Sequence, residues 1–180
     1  MKKMTKNEGF TLIELLIVVA IIGIIAAIAV PGLMRARMSG NEASAIGSVR
    51  TINSSQATYA SACGGGGYAE DMNALAAQPT AGGPTFIPDD LQQADVNDED
   101  VPKSGYGFTV TDNGGSATVL ANAADTCNAA APSHTEFFAT AAPTTPGTTG
   151  TRYFGSDHSG QIRQDATNPI AAITDGIPLQ

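Results

Sequence analysis

Apolar and polar positions divide this chain into unlike parts. Between residues 10 and 30 only Thr11, Glu14 and Gly23 interrupt an apolar run. Wound as one helix, that run is about 31 Å long, enough to cross the hydrocarbon core of a bilayer. Pro31 and Gly32 follow, and both predict a kink, because proline lacks a backbone donor and glycine favours the unfolded backbone. The spacing then changes. Ile46, Val49, Ile52 and Tyr59 fall near one helical stripe, with Asn41, Ser48 and Ser55 elsewhere, which predicts an amphipathic stretch to about Ala60. One long, interrupted helix is preferred over two helices joined by an extended break, since kinks at proline are common where packing supports them.

The glycines at positions 64–67, just after Cys63, end the helix and read as a linker. They lack the Lys and Ser/Thr of a phosphate-binding loop. Residues 72–76 suit a short helical turn, and residues 78–102 read as loop. Residues 106–111 read as a strand, 112–115 as a strong turn and 116–121 as the returning strand. A third strand is expected at 136–140. Arg152-Tyr153-Phe154 is expected to pair with Gln161-Ile162-Arg163 across residues 155–160. The fold class is therefore α+β: a long N-terminal helix, membrane-spanning in its first half, packed against a small antiparallel β-sheet head.

Charge narrows the function classes. The formal net charge is −8, which gives no support to nonspecific nucleic-acid binding. Lys2, Lys3 and Lys6 precede the apolar run and outnumber Arg35 and Arg37 beyond it. The N-terminus is thereby expected on the cytoplasmic side, with the head on the outer face of the inner membrane. That compartment permits a disulfide between Cys63 and Cys127; two buried, reduced thiols are the alternative. Glu14 is the anomaly of the run. A charged group at mid-span costs roughly 2.5–3.5 kcal/mol on insertion scales. It either lies near the interface or awaits a partner of opposite sign, and cleavage after Gly9 would supply one as a new ammonium on Phe10.

Gly9-Phe10-Thr11-Leu12-Ile13-Glu14, with its lysine-bearing leader and the apolar run behind it, resembles the processing motif of type IV prepilins and the related type II secretion pseudopilins. The resemblance covers about the first third of the chain. It implies cleavage between Gly9 and Phe10 by a prepilin peptidase, N-methylation of Phe10, and assembly of identical subunits into a helical filament with Glu14 acting in assembly. It also implies a lipid bilayer around the helix before assembly, inner-membrane pilus assembly machinery as a partner, and a surface pilus as the destination. The expected organisation is a cleaved leader at 1–9, a transmembrane and filament-core helix at 10–31, its amphipathic continuation at 32–62, and a globular head at 63–180. The expected function is a structural pilin serving adhesion, surface motility or related roles. The alternatives are a pseudopilin or minor pilin and, more remotely, a secreted soluble binding domain. The last rests on Ala27-Ile28-Ala29, which mimics a signal-peptidase site, although Glu14 and the length of the run depart from that pattern.

No enzyme is expected. Ser156-Asp157-His158 has the residue types of a triad, but consecutive strand residues point to opposite faces and a turn explains them as well. His134 and His158 make no spaced metal motif. Asp95, Asp98, Glu99 and Asp100 offer calcium-type oxygen ligands but not the EF-hand spacing, so neither metal nor cofactor is assigned. Aromatic residues are 6% of the chain, and only Phe10 and Tyr59 lie on the long helix, which gives no aromatic ladder for conduction.

Overall fold

The computed structural model describes residues 10–92, 102–112, 117–172 and 174–179. Its first element is α1, Leu12–Ala62, 51 residues with Pro31 inside. Thr11 and Glu14 close its start reciprocally. The Thr11 N–H donates to Glu14 Oε2 at 2.9 Å, and the Glu14 N–H points back to the Thr11 hydroxyl at 3.4 Å. This is the capping-box arrangement, which satisfies donors that the first helical turn leaves free. The helix continues through Pro31 and Gly32, so the interruption expected there is not a break in helical structure. The chain divides into two compact units, one ending at Arg37 and one beginning at Met38.

Within the second unit, α1 lays Ala45, Val49, Ile52 and Tyr59 into the core, all of them wholly buried. Ile46, expected on that stripe, is only partly buried. Ser48 and Ser55, expected off it, are buried, as are Glu42 and Gln56. Gln56 explains how a polar residue can stay inside. Its Nε2 donates to the Ala69 carbonyl at 3.0 Å and its Oε1 accepts the Ala69 N–H at 2.8 Å, so both ends of the amide are satisfied.

The helix ends in a shaped turn rather than the slack linker expected from four glycines. The Gly66 N–H reaches the Ala60 carbonyl at 2.9 Å, and Gly65 has φ 61°, the left-handed region that glycine enters without penalty. A Cβ on Gly67 would meet Ser133 Oγ at 2.5 Å, so the chain there packs directly onto a strand.

Among the described residues the elements follow in the order α1, β1 (Tyr68–Ala69), α2 (Met72–Ala76), α3 (Asp89–Gln92), β2 (Tyr106–Thr111), β3 (Val119–Ala121), a 3-10 turn (Ala123–Asp125), β4 (Ser133–His134), β5 (Phe138–Pro143), β6 (Tyr153–Asp157), β7 (Ile162–Asp165) and β8 (Ile177–Pro178). Five strands form one antiparallel sheet in the order β2-β5-β6-β7-β8, and β1-β4-β3 form a second. The expected helical turn is α2, started by Asp71, whose carboxylate accepts the Ala74 N–H. The short helix α3 lies inside the stretch read as loop. β6 and β7 pair as neighbours, but not in the expected register: Tyr153 and Phe154 face Asp165 and Gln164, while Ile162 and Arg163 face Ser156 and Gly155 of the expected turn.

The expected hairpin between residues 106–111 and 116–121 does not form. β2 pairs with β5, and β3 joins β4 in the other sheet. Residues 113–116 of the expected turn lie outside the described residues. Side-chain size accounts for the choice. In the β2–β5 ladder Phe108 faces Ala141 and Val110 faces Ala139, large against small, and all four are buried. Val119 and Leu120 of β3 are about half exposed and offer no such fit.

Candidate functional site

The apolar run keeps its side chains outside. Leu12 is 80% exposed and Ile28 77%, and the large apolar residues between them are at least 47% exposed. By length and composition α1 can cross a membrane, and none of its most apolar stretch is buried. Covering a large apolar side chain is worth roughly 1.5–3 kcal/mol. A row of them left bare therefore calls for lipid or for other apolar helices. Phe10, at the head of the run, is 75% exposed. Gly9 lies outside the described residues, as do the leader lysines.

Glu14 has a partner within its own chain. Its Oε2 accepts from both the hydroxyl and the N–H of Thr11. The capping role was readable as Thr-x-x-Glu ahead of an apolar run, a signal that the charge anomaly overshadowed. An oxygen so occupied has lone pairs left, and its partner Oε1 is not used by Thr11, so the carboxylate can still face a cation.

In the head, ionic groups are tied internally. Glu42 Oε1 accepts the N–H and hydroxyl of Thr151, each at 2.9 Å, while Oε2 takes Arg152 Nε at 2.9 Å and Nη2 at 2.8 Å. Burial pushes the Glu42 carboxyl up, but the Thr151 N–H, the Arg152 guanidinium and the Thr151 hydroxyl outweigh it and hold the group below the usual glutamate value. Arg152 also donates through Nη1 to Gln164 Oε1 at 2.7 Å, which ties α1 to β6 and β7. Cys63 and Cys127 are joined as a disulfide with Cα atoms 4.6 Å apart, fastening the end of α1 to the segment after the 3-10 turn.

Nothing in the described head assembles a reaction centre. Ser156 is buried and donates to the Gln161 carbonyl, Asp157 accepts from Ser159, and His158 stands exposed in the turn. Among the described residues no three His, Cys, Asp or Glu side chains gather to hold a metal. The acidic residues 95, 98, 99 and 100 lie outside the described residues.

Residues 4–30 match the family described as the prokaryotic N-terminal methylation motif. The chain is 43% identical over 54 residues to the type IV major pilin protein PilA of Myxococcus xanthus, covering 30% of this chain and 24% of that one. It is 56% identical over 39 residues to the type IV wide pilus major component PilA4 of Thermus thermophilus, covering 22% of this chain and 30% of that one. The chain thus matches less than a third of the length of either relative. No solved structure matches it. Its N-terminal segment thus carries the prokaryotic N-terminal methylation motif, and part of the chain is similar to two type IV pilins.

Proposed function

We propose that this chain is a structural pilin that polymerises with identical copies into a type IV pilus on the cell surface. The observation that carries the reading is the bare apolar face of α1 behind a methylation motif. A membrane can cover such a helix in a stored subunit, and the helices of neighbouring subunits can cover it in a filament. Processing by a prepilin peptidase between Gly9 and Phe10 precedes assembly and leaves Glu14 as the fifth residue. Its carboxylate then faces the Phe10 ammonium of a neighbour, and that pairing fixes axial register, since a displaced copy leaves two buried charges unpaired. The precursor sits in the inner membrane, where assembly machinery receives it, and the filament serves adhesion, surface motility or a related task.

Mass spectrometry of filaments sheared from cells tests this reading. The subunit should begin at methylated Phe10. A start near Val30, with the chain found as soluble protein, would instead indicate an exported binding domain. A subunit that begins at Phe10 but is absent from surface filaments would move the chain to the pseudopilins or minor pilins.

A further inference from the structure

From Met38 onward the chain carries fifteen carboxylates against four cations. Contact between two such heads sets like charges together, so a stable contact calls for a cation at the junction. Three of the four cations are engaged at home. Lys103 pairs with Asp90 at 2.8 Å, Arg152 with Glu42, and Arg163 is held by the carbonyls of Asp175 and Gly176 at 2.8 and 2.9 Å. Arg50 remains. It is exposed on α1, beside the buried Val49, and among the described residues its guanidinium forms no ion pair and no hydrogen bond.

The carboxylates show a matching gap. Asp71, Asp157, Asp165 and Asp175 each accept backbone N–H groups nearby, and Glu42 and Asp90 have their cations. Glu70 accepts no hydrogen bond among the described residues and its side chain is 42% exposed. It lines a groove of about 230 Å³ with Asp71, Val110, Thr111 and Asp112. Behind it His134 is buried, with neither ring nitrogen hydrogen-bonded. Its Nε2 stands 3.8 Å from Glu70 Oε2, too far for a hydrogen bond. The groove thus presents a carboxylate that accepts no hydrogen bond among the described residues and whose ionic neighbour, the buried His134, carries charge only when protonated.

We propose that Arg50 of one copy docks in the Glu70 groove of a second copy, as a charge-selected contact between heads. The contact rests on the filament reading above and adds to it a pairing outside the apolar helices. The occupant is another copy of this chain because the missing charge on each surface is the charge left over on the other. A lipid headgroup is the competing partner for an exposed arginine. It suits Arg35 and Arg37, five and seven residues past the apolar run, better than Arg50, twenty past it.

Charge reversal in cells making each variant as their only copy decides between them, with sheared filaments and membrane-held subunit measured side by side. Arg50→Glu and Glu70→Arg should each lower filament yield about tenfold, the factor that accompanies roughly 1.4 kcal/mol, at unchanged subunit level. The double reversal should restore most of the yield. Full yield from either single variant, or a double variant no better than the singles, would overturn the contact. So would a loss of membrane-held subunit in Arg50→Glu that Glu70→Arg does not repair, which would assign Arg50 to headgroups. Should a reversal prevent folding, the pair Arg50→Cys and Glu70→Cys decides instead. Both native cysteines are already bonded, so a short bis-maleimide on filaments should join neighbouring subunits through the new thiols alone. Filaments that stay uncrosslinked would refute the contact. If the unaltered chain forms no filaments, the failure belongs to the filament reading, and this contact falls with it.

Discussion

The start of α1 and the head differ in where their partners are. In the head, Glu42 finds Arg152 and Thr151, Gln56 finds both backbone groups of Ala69, and Phe108 and Val110 of β2 face alanines of β5. In the helix start, every large apolar side chain is exposed and the one carboxylate is held only by a neighbouring threonine. Physical needs met at home produce a fold, and needs left unmet specify an assembly. The described part of the recognisable motif, residues 10–30, lies in the second category. The family motif is therefore matched, over its described residues, through side chains that the core of the head does not use.

That contrast can be broken most severely at Gly9. If a peptidase cleaves after Gly9 as proposed, Gly9→Glu puts a side chain in its way and should leave an uncleaved precursor and no filaments; a processed subunit on an immunoblot would sink the expectation. Next comes Glu14, where two roles can be separated. Glu14→Val should leave insertion and cleavage intact while lowering sheared filaments by an order of magnitude or more. Glu14→Gln retains a capping-box acceptor but loses the charge. Filaments at normal yield from Glu14→Gln would assign the residue to capping alone.

Smaller effects are expected in the head, where each group has local support. Removing the disulfide by Cys63→Ser with Cys127→Ser frees a 65-residue loop, and chain entropy puts the cost at about 4 kcal/mol. Denaturant melts of the head with and without the bridge measure it. Glu42→Gln should cost about 1–3 kcal/mol at neutral pH, since a charge-assisted network is weakened but not emptied. The folded pKa of Glu42 is depressed, so its contribution is present above about pH 4.3, the unfolded value, and is lost as pH falls through the lowered folded value. The variant should therefore lose less stability than the parent on acidification below that point. Parallel acid melts would contradict this.

The helix was legible because its signals are local: an uninterrupted apolar run, then a 3.6-residue stripe. β6 and β7 were legible for the same reason, being close in sequence and separated by a turn. The partner of β2 is not legible locally, because strand choice depends on volume, and Ala139 and Ala141 sit some thirty residues away from Phe108 and Val110. Gln56 was unreadable as a core residue, since its burial depends on a backbone segment, Ala69, that no periodicity announces. The glycines after Cys63 looked slack because composition does not reveal that Gly67 must pass within contact of Ser133. Arg50 and Glu70 are plain in the sequence. Only the local engagement of Lys103, Arg152 and Arg163 makes Arg50 stand out.

The bridge from Cys63 to Cys127 also sets how the subunit would behave under load. Tension entering through α1 reaches Cys63 and passes straight across to Cys127. The loop between them cannot pay out as extended chain, however far the rest unravels. At about 3.3–3.6 Å per residue, that withholds roughly 210–230 Å of contour length. In single-molecule pulling, adding a reductant should lengthen the fully stretched subunit by close to that amount. A fibre of such subunits would resist tearing by keeping more than a third of each chain out of the line of force.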